Sequence, residues 1–231
     1  MARAGAFVVL AGRTLSDLLK VADDIRKEGG RADIHVVDLS SRREVERLAA
    51  DHLEVDILVN NAAAPQRYAA ITERDDAYWA DVFDVDFWAP YVLIRDIGRS
   101  MSERGAGVII NISSMAGLRP FPLLAHYSAA KAALDMLTRV AAMDLGPAGV
   151  RAVSIAPGIV RSDHHPFAED DQFVREFAPR GERIMPADIG RLAVYLASDD
   201  ARFINGTVIE YDGGAGAGYF HLRPQFAAAK T

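Results

Sequence analysis

The chain has 231 residues, half of them hydrophobic and a quarter charged, which suits one globular domain with one core. A net charge of −6 argues against nucleic acid or an anionic membrane surface as partner. The absence of cysteine excludes a disulfide framework, a thiolate metal site and a thiol nucleophile, and no apolar run comes near the ~18 residues that a spanning helix needs.

The first apolar run, residues 6–11 (AFVVLA), predicts a buried strand, and Gly12-Arg13-Thr14 behind it predicts a binding loop. Together with Arg3 the run has a faint likeness to a secretion signal, but it is short and leads straight into Arg13. Further strands are expected at 33–38 (DIHVVD), 55–60 (VDILVN), 107–113 (GVIINIS), 150–156 (VRAVSIA) and 207–211 (TVIEY). Helical periodicity fills the intervals at about 15–28, 41–52, 75–103, 127–145 and 186–198. Strands that are apolar throughout and alternate with helices predict an α/β fold whose parallel sheet is covered on both faces. The stretch 160–185 has proline, charge and little periodicity, so it is expected to be a mobile insertion, and 212–231 an irregular tail.

Ligands of open parallel sheets bind beyond the carboxyl ends of the strands. The residues leaving the strands here are Gly12-Arg13, Asp38-Leu39, Asn60-Asn61-Ala62-Ala63, Ser113-Ser114 and Pro157-Gly158. In HYSAAKAAL, Tyr127 and Lys131 are four apart and share a helix face. An ammonium beside a phenol favours its ionised form, so the pair could exchange a proton with a carbonyl or alcohol oxygen near neutral pH. Taken alone, Y-x-x-x-K is equally an exposed helix pair with no task.

Ser114 lies thirteen residues before Tyr127, and with it the chain resembles the short-chain dehydrogenase/reductase family from Ala4 to about Gly214. The matching pieces are VDILVNNAA, GVIINISSMAG, YSAAK, VRAVSIAPGIVRS and INGTVIEYDGG, in that order and at that spacing. The resemblance implies a Rossmann-like doubly wound parallel sheet and hydride transfer between NAD(P)(H) and a carbonyl or alcohol. It implies Tyr127 as general acid/base, Lys131 as the residue that tunes the phenol and holds the nicotinamide ribose, and Ser114 as the donor to the reacting oxygen. It further implies that Pro157, Gly158, Ile159 and Ser162 line the nicotinamide, Asp38 and Leu39 contact adenine, and Asn60 to Ala62 flank the adenosine ribose. Substrate-facing residues would be Met115, Leu118, His126, Ile159 and the 160–185 loop. A homodimer or homotetramer built on the two long helices and a cytoplasmic location are also expected. Arg13, with no acid after its strand, points to a 2′-phosphate and hence to NADP, with NAD as the alternative.

Three departures stand out. Ala63 replaces the glycine of the family's N-N-A-G, a costly exchange only if the backbone there is left-handed. Asp86 replaces an asparagine that helps hold a water beside the lysine; its charge would favour the protonated amine and alter the proton relay. No T-G-x-x-x-G-x-G phosphate loop occurs, so the sequence predicts a fold truncated at its N-terminus, lacking a first strand, loop and helix of roughly 25–30 residues.

A serine hydrolase is disfavoured because Ser114 lacks a G-x-S-x-G setting, and His164-His165 lacks metal-ligand spacing. Two readings of different class remain: a Ser-Tyr-Lys oxidoreductase, and a cofactor-free remnant that only binds or assembles with an intact homologue.

Overall fold

The computed structural model describes residues 1–73, 75–161 and 171–218. Strand and helix alternate: β1 (Phe7–Gly12), α1 (Leu15–Lys27), β2 (Arg31–Val36), α2 (Arg42–Asp51), β3 (Ile57–Asn60), α3 (Asp76–Phe83) and α4 (Ala89–Arg104). Next come β4 (Gly107–Ile112), α5 (Met115–Leu118), α6 (Ala125–Leu145), β5 (Val150–Pro157), α7 (Asp171–Phe177), α8 (Pro186–Ala197) and β6 (Val208–Tyr211).

All strand pairs are parallel, as continuous apolar strands joined by helices require. The ladders form two sheets rather than the single one expected: β1 with β2, and β3-β4-β5-β6. Among the described residues, β1 and β3 each have one pairing partner. β1 has no fully buried residue, and Phe7 is 56 % exposed, although its composition is that of a core strand.

The four-stranded sheet is covered on both faces because alternate side chains point opposite ways. On one face Leu58, Ile109, Val150 and Ala152 meet Val45 and Leu48 of α2, Val92 and Ile97 of α4, and Ala141 of α6. On the other, Ile110, Val153 and Ile155 meet Ala193 and Leu196 of α8. Val37, just past β2, joins the first cluster and ties the two-stranded sheet to it.

Two elements differ from the sequence reading. The single helix expected over 75–103 is interrupted by a π-helical turn, Asp84–Trp88, between α3 and α4. Local periodicity hardly registers one wider turn, because the apolar stripe resumes on either side. Within 160–185 the structure places α7, whose Val174 is buried and whose Phe177 packs against Phe173 and Phe121. The ends of this insertion are tied: Arg161 N–H donates to the Ile184 carbonyl at 2.9 Å. A seven-residue helix that buries a single stripe has too few turns to show a period.

Candidate active site

The parallel register aligns the strand exits: Asn60 lies beside Asn111, Ile112 beside Ile155, and Pro157 beside Tyr211. Just beyond this edge, Ser114 caps α5, its hydroxyl accepting the Ala116 N–H at 3.1 Å. The short α5 lies hard against α6. A Cβ at Gly117 would come within 2.9 Å of the Lys131 carbonyl carbon and 3.0 Å of the Ala132 nitrogen, so only glycine permits this approach. That contact brings α5, which Ser114 caps, to the turn of α6 that carries Lys131.

On α6 the expected pair shares one face, with the Lys131 ammonium 5.6 Å from the centre of the Tyr127 ring. Lys131 is buried, at 2 % exposure, and its ammonium donates to the Ile112 carbonyl at 3.0 Å. Its counter-ion is Asp86, wholly buried in the π-helical turn, with Oδ1 2.9 Å from Nζ. The other carboxylate oxygen, Oδ2, accepts the Ala64 N–H at 2.9 Å. Burial alone would lower the Lys131 pKa, but the Asp86 carboxylate, helped by Tyr127 and Asp135, reverses this and raises it. Asp86 therefore pairs directly with the ammonium, the charged neighbour that the sequence reading expected to favour its protonated form.

Ala63 is not among the positive-φ residues, so replacing glycine there is harmless. The Asn60 side chain is turned into the core: its amide donates to Asn111 Oδ1 at 2.8 Å, and Asn111 in turn donates to the Thr138 hydroxyl at 2.8 Å. What this turn presents outward is exposed Asn61 and Ala62, not the Asn60 amide. Asp38 accepts from both the backbone N–H and the hydroxyl of Ser40, at 3.0 and 2.8 Å, and these bonds, aided slightly by Arg13, hold its carboxyl below the usual range. Arg13 is exposed in the turn between β1 and α1. Leu39 lines a small hollow with Ser40, Arg42, Asp84 and Trp88. Gly158 passes against Asp212, where a Cβ would meet its Cα at 2.9 Å, and Ile159 follows, buried. Ser162 and the His164-His165 pair lie outside the described residues.

His126, expected at the substrate, is buried against Tyr78 and Trp79 of α3, with ring centres 4.8 and 5.9 Å apart, and lines a small hollow with Arg67, Asp75 and Ala125. A residue next to Tyr127 on a helix points about 100° away from it, toward the aromatic cluster. The sequence reading also missed Asp135, whose Oδ1 accepts the Ser154 hydroxyl at 2.8 Å and whose carboxyl is pushed up by burial. The signal available for this network was Asn111, a buried polar residue amid the otherwise apolar strand GVIINI.

The family model described as enoyl-(acyl carrier protein) reductase matches residues 1–216. The chain belongs to the short-chain dehydrogenase/reductase family. It is 29 % identical over 223 residues to dehydrogenase/reductase SDR family member 4 of Bos taurus, covering 93 % of this chain and 80 % of that protein. It is 36 % identical over 224 residues to an uncharacterized oxidoreductase of Mycobacterium tuberculosis, covering 92 % and 84 %. Among solved structures, a Beutenbergia cavernae protein assigned as an NAD(P)-dependent gluconate 5-dehydrogenase, with NADP bound at low occupancy, superposes with a TM-score of 0.89. It shares 35 % identity, covering 94 % of this chain and 89 % of that one. A 7α-hydroxysteroid dehydrogenase in complex with NADH and an oxo bile acid superposes with a TM-score of 0.86 at 30 % identity, covering 93 % and 86 %. In this short-chain dehydrogenase/reductase fold, Lys131 meets the carboxyl end of β4, the sheet edge where the topology directs ligands.

Burial lowers the His126 pKa, with the nearby Asp86 carboxylate opposing only in part. A histidine lowered in the fold favours folding while neutral, so its contribution is lost as pH falls below the unfolded value of about 6.5. Thermal melts of the parent and of His126→Gln between pH 7.5 and 5.5 should show the parent's advantage narrowing with acid, at about 2–4 °C per kcal/mol for a domain of this size. A pH-independent difference would show that folding leaves the affinity of this imidazole for a proton unchanged.

Proposed function

We propose that this protein is an NAD(P)(H)-dependent oxidoreductase that interconverts a carbonyl and an alcohol through Ser114, Tyr127 and Lys131. The observation that carries the reading is the placement of Tyr127 and Lys131 one helical turn apart, ammonium over phenol ring, on a helix packed against α5, which Ser114 caps. Such an arrangement supplies a proton donor and acceptor, a fixed positive charge beside it and a hydroxyl to orient the reacting oxygen.

The fit to a dinucleotide is good at its ends. The Lys131 ammonium donates to the Ile112 carbonyl and faces Asp86, and an ammonium with three donors could also serve a ribose hydroxyl. Pro157, Gly158 and Ile159, at the end of β5, would line the nicotinamide, with Leu39 and the Asn60–Ala62 turn at the adenosine. No described residues form a glycine-rich loop of the T-G-x-x-x-G-x-G type, and no contact is assigned to the pyrophosphate. A bound nicotinamide would supply or accept the hydride. Tyr127 gives a proton to the carbonyl oxygen in reduction and removes it from the alcohol in oxidation, while Ser114 donates to that same oxygen. Lys131 holds its positive charge beside the phenol.

Solved relatives carry NADP in one case and NADH in another. Exposed Arg13, near Asp38 and with no acid in the AGRT turn, favours NADP for this chain. On α6, Met136, Val140 and Met143 are exposed, and Met143 is 78 % so, which supports self-association along this helix.

Tyr127→Phe should lower kcat with NADPH and a responsive carbonyl substrate by ~10²-fold or more, with the thermal melt unchanged. Full retained activity would remove Tyr127 from the mechanism. Binding of NADPH without any turnover across a broad panel of carbonyls would favour a protein that only binds. Arg13→Ala should weaken NADPH binding by calorimetry by about tenfold, the loss of one charge-assisted phosphate contact, and leave NADH unchanged. Equal losses for both cofactors would deny Arg13 a 2′-phosphate.

A further inference from the structure

Asp86 stands out because three separate features converge on it. It sits on the π-helical turn Asp84–Trp88, it is wholly buried, and its two oxygens reach different elements of the site. Oδ1 faces the Lys131 ammonium at 2.9 Å, while Oδ2 takes the N–H of Ala64, which ends the turn leaving β3. A π turn adds a residue to the helix and swings the following side chains round its axis, which is one way to deliver a short carboxylate into a core position.

We propose that Asp86 is a positioning residue that serves as the permanent counter-charge of Lys131, confining that lysine to an electrostatic role, and that clamps the Asn60–Ala64 turn to the same point. This rests on the reading of Tyr127 and Lys131 as the working pair. An ammionium locked to a buried carboxylate does not release its proton, and so does not relay one. The pair presents to Tyr127 an ammonium 5.6 Å from its ring centre, whose positive charge Asp86 partly offsets.

Among the described residues, no other carboxylate is paired with Lys131 in this way. Tyr127 and Asp135 face it from α6 itself. Asp135 is engaged by Ser154, and burial raises its carboxyl toward the neutral form. Tyr78 of α3 and His126, the latter favoured neutral by burial, also feel the Asp86 charge and that of Arg67; Tyr68 lies near Tyr127. Without Asp86, the burial that lowers the Lys131 pKa would be opposed only by Tyr127 and Asp135.

The chain has four lysines, Lys20, Lys27, Lys131 and Lys230, so a protein labelled with ¹³C-lysine gives few enough side-chain signals to assign. The ¹³Cε shift of Lys131, followed from pH 6 to 10.5 without cofactor or substrate, reads the protonation of this amine directly. The unaltered protein should keep Lys131 an ammonium through pH 9.5. Asp86→Asn, which keeps the shape and removes the charge, should bring its titration down by about one pH unit or more, within the range known for buried lysines. Asp86→Glu should restore part of the difference. A folded Asp86→Asn protein whose Lys131 titrates as before would overturn the proposal. If that variant does not fold, the unaltered protein still decides: loss of the Lys131 proton below pH 9 would overturn it, and persistence of the ammonium would support it. These signals need no turnover, so they stand or fall apart from the oxidoreductase reading, which Tyr127→Phe tests.

Discussion

A buried ammonium needs a counter-charge, and the arrangement of this site follows from meeting that need at Lys131. Moving an ion out of water costs several kcal/mol even after relaxation, and only a close, well-bonded partner offsets it. Asp86 at 2.9 Å and the Ile112 carbonyl at 3.0 Å supply that partner set. Each comes from a different element: the π-helical turn before α4, and the end of β4. The Ala64 N–H on Asp86 adds the turn after β3. One ion pair thus fixes the relative position of three segments whose exits form the candidate site, and it does so next to Tyr127.

Around this pair runs a second set of buried polar contacts, Asn60 to Asn111 to Thr138 on one side and Ser154 to Asp135 on the other. Buried polar groups are costly unless satisfied, and when satisfied they specify one arrangement over near alternatives. Here they link β3, β4, β5 and α6 across the middle of the sheet, while the apolar clusters on its two faces supply the nonspecific drive to fold. The site edge is consequently held by polar contacts of fixed geometry rather than by packing alone.

Much of this was legible in the sequence, and the rest was not for identifiable reasons. The runs ILVN, GVIINI and VRAVSIAP announce core strands because an apolar strand covered on both faces has one continuous signature. Tyr127 and Lys131 were visible because four residues on a helix is a local distance. The pairing of Lys131 with Asp86 spans 45 residues of sequence and depends on a π turn that no periodicity reveals. The inward turn of Asn60 and the burial of His126 against Tyr78 are likewise tertiary facts. β1 reads as a core strand from its composition, yet its neighbours in space leave Phe7 exposed, which composition cannot convey.

The claim that this ion pair organises the site is tested most directly by a double-mutant cycle in urea with Asp86→Asn, Lys131→Met and the double variant. Removing either partner alone leaves a charge or an unpaired polar group buried and should cost about 3–5 kcal/mol. The double variant should then be well short of the sum, with a coupling of at least about 1–3 kcal/mol between the two positions. Additive losses, within about 0.5 kcal/mol, would mean that Lys131 and Asp86 are buried independently, and the account built on their pairing would be wrong.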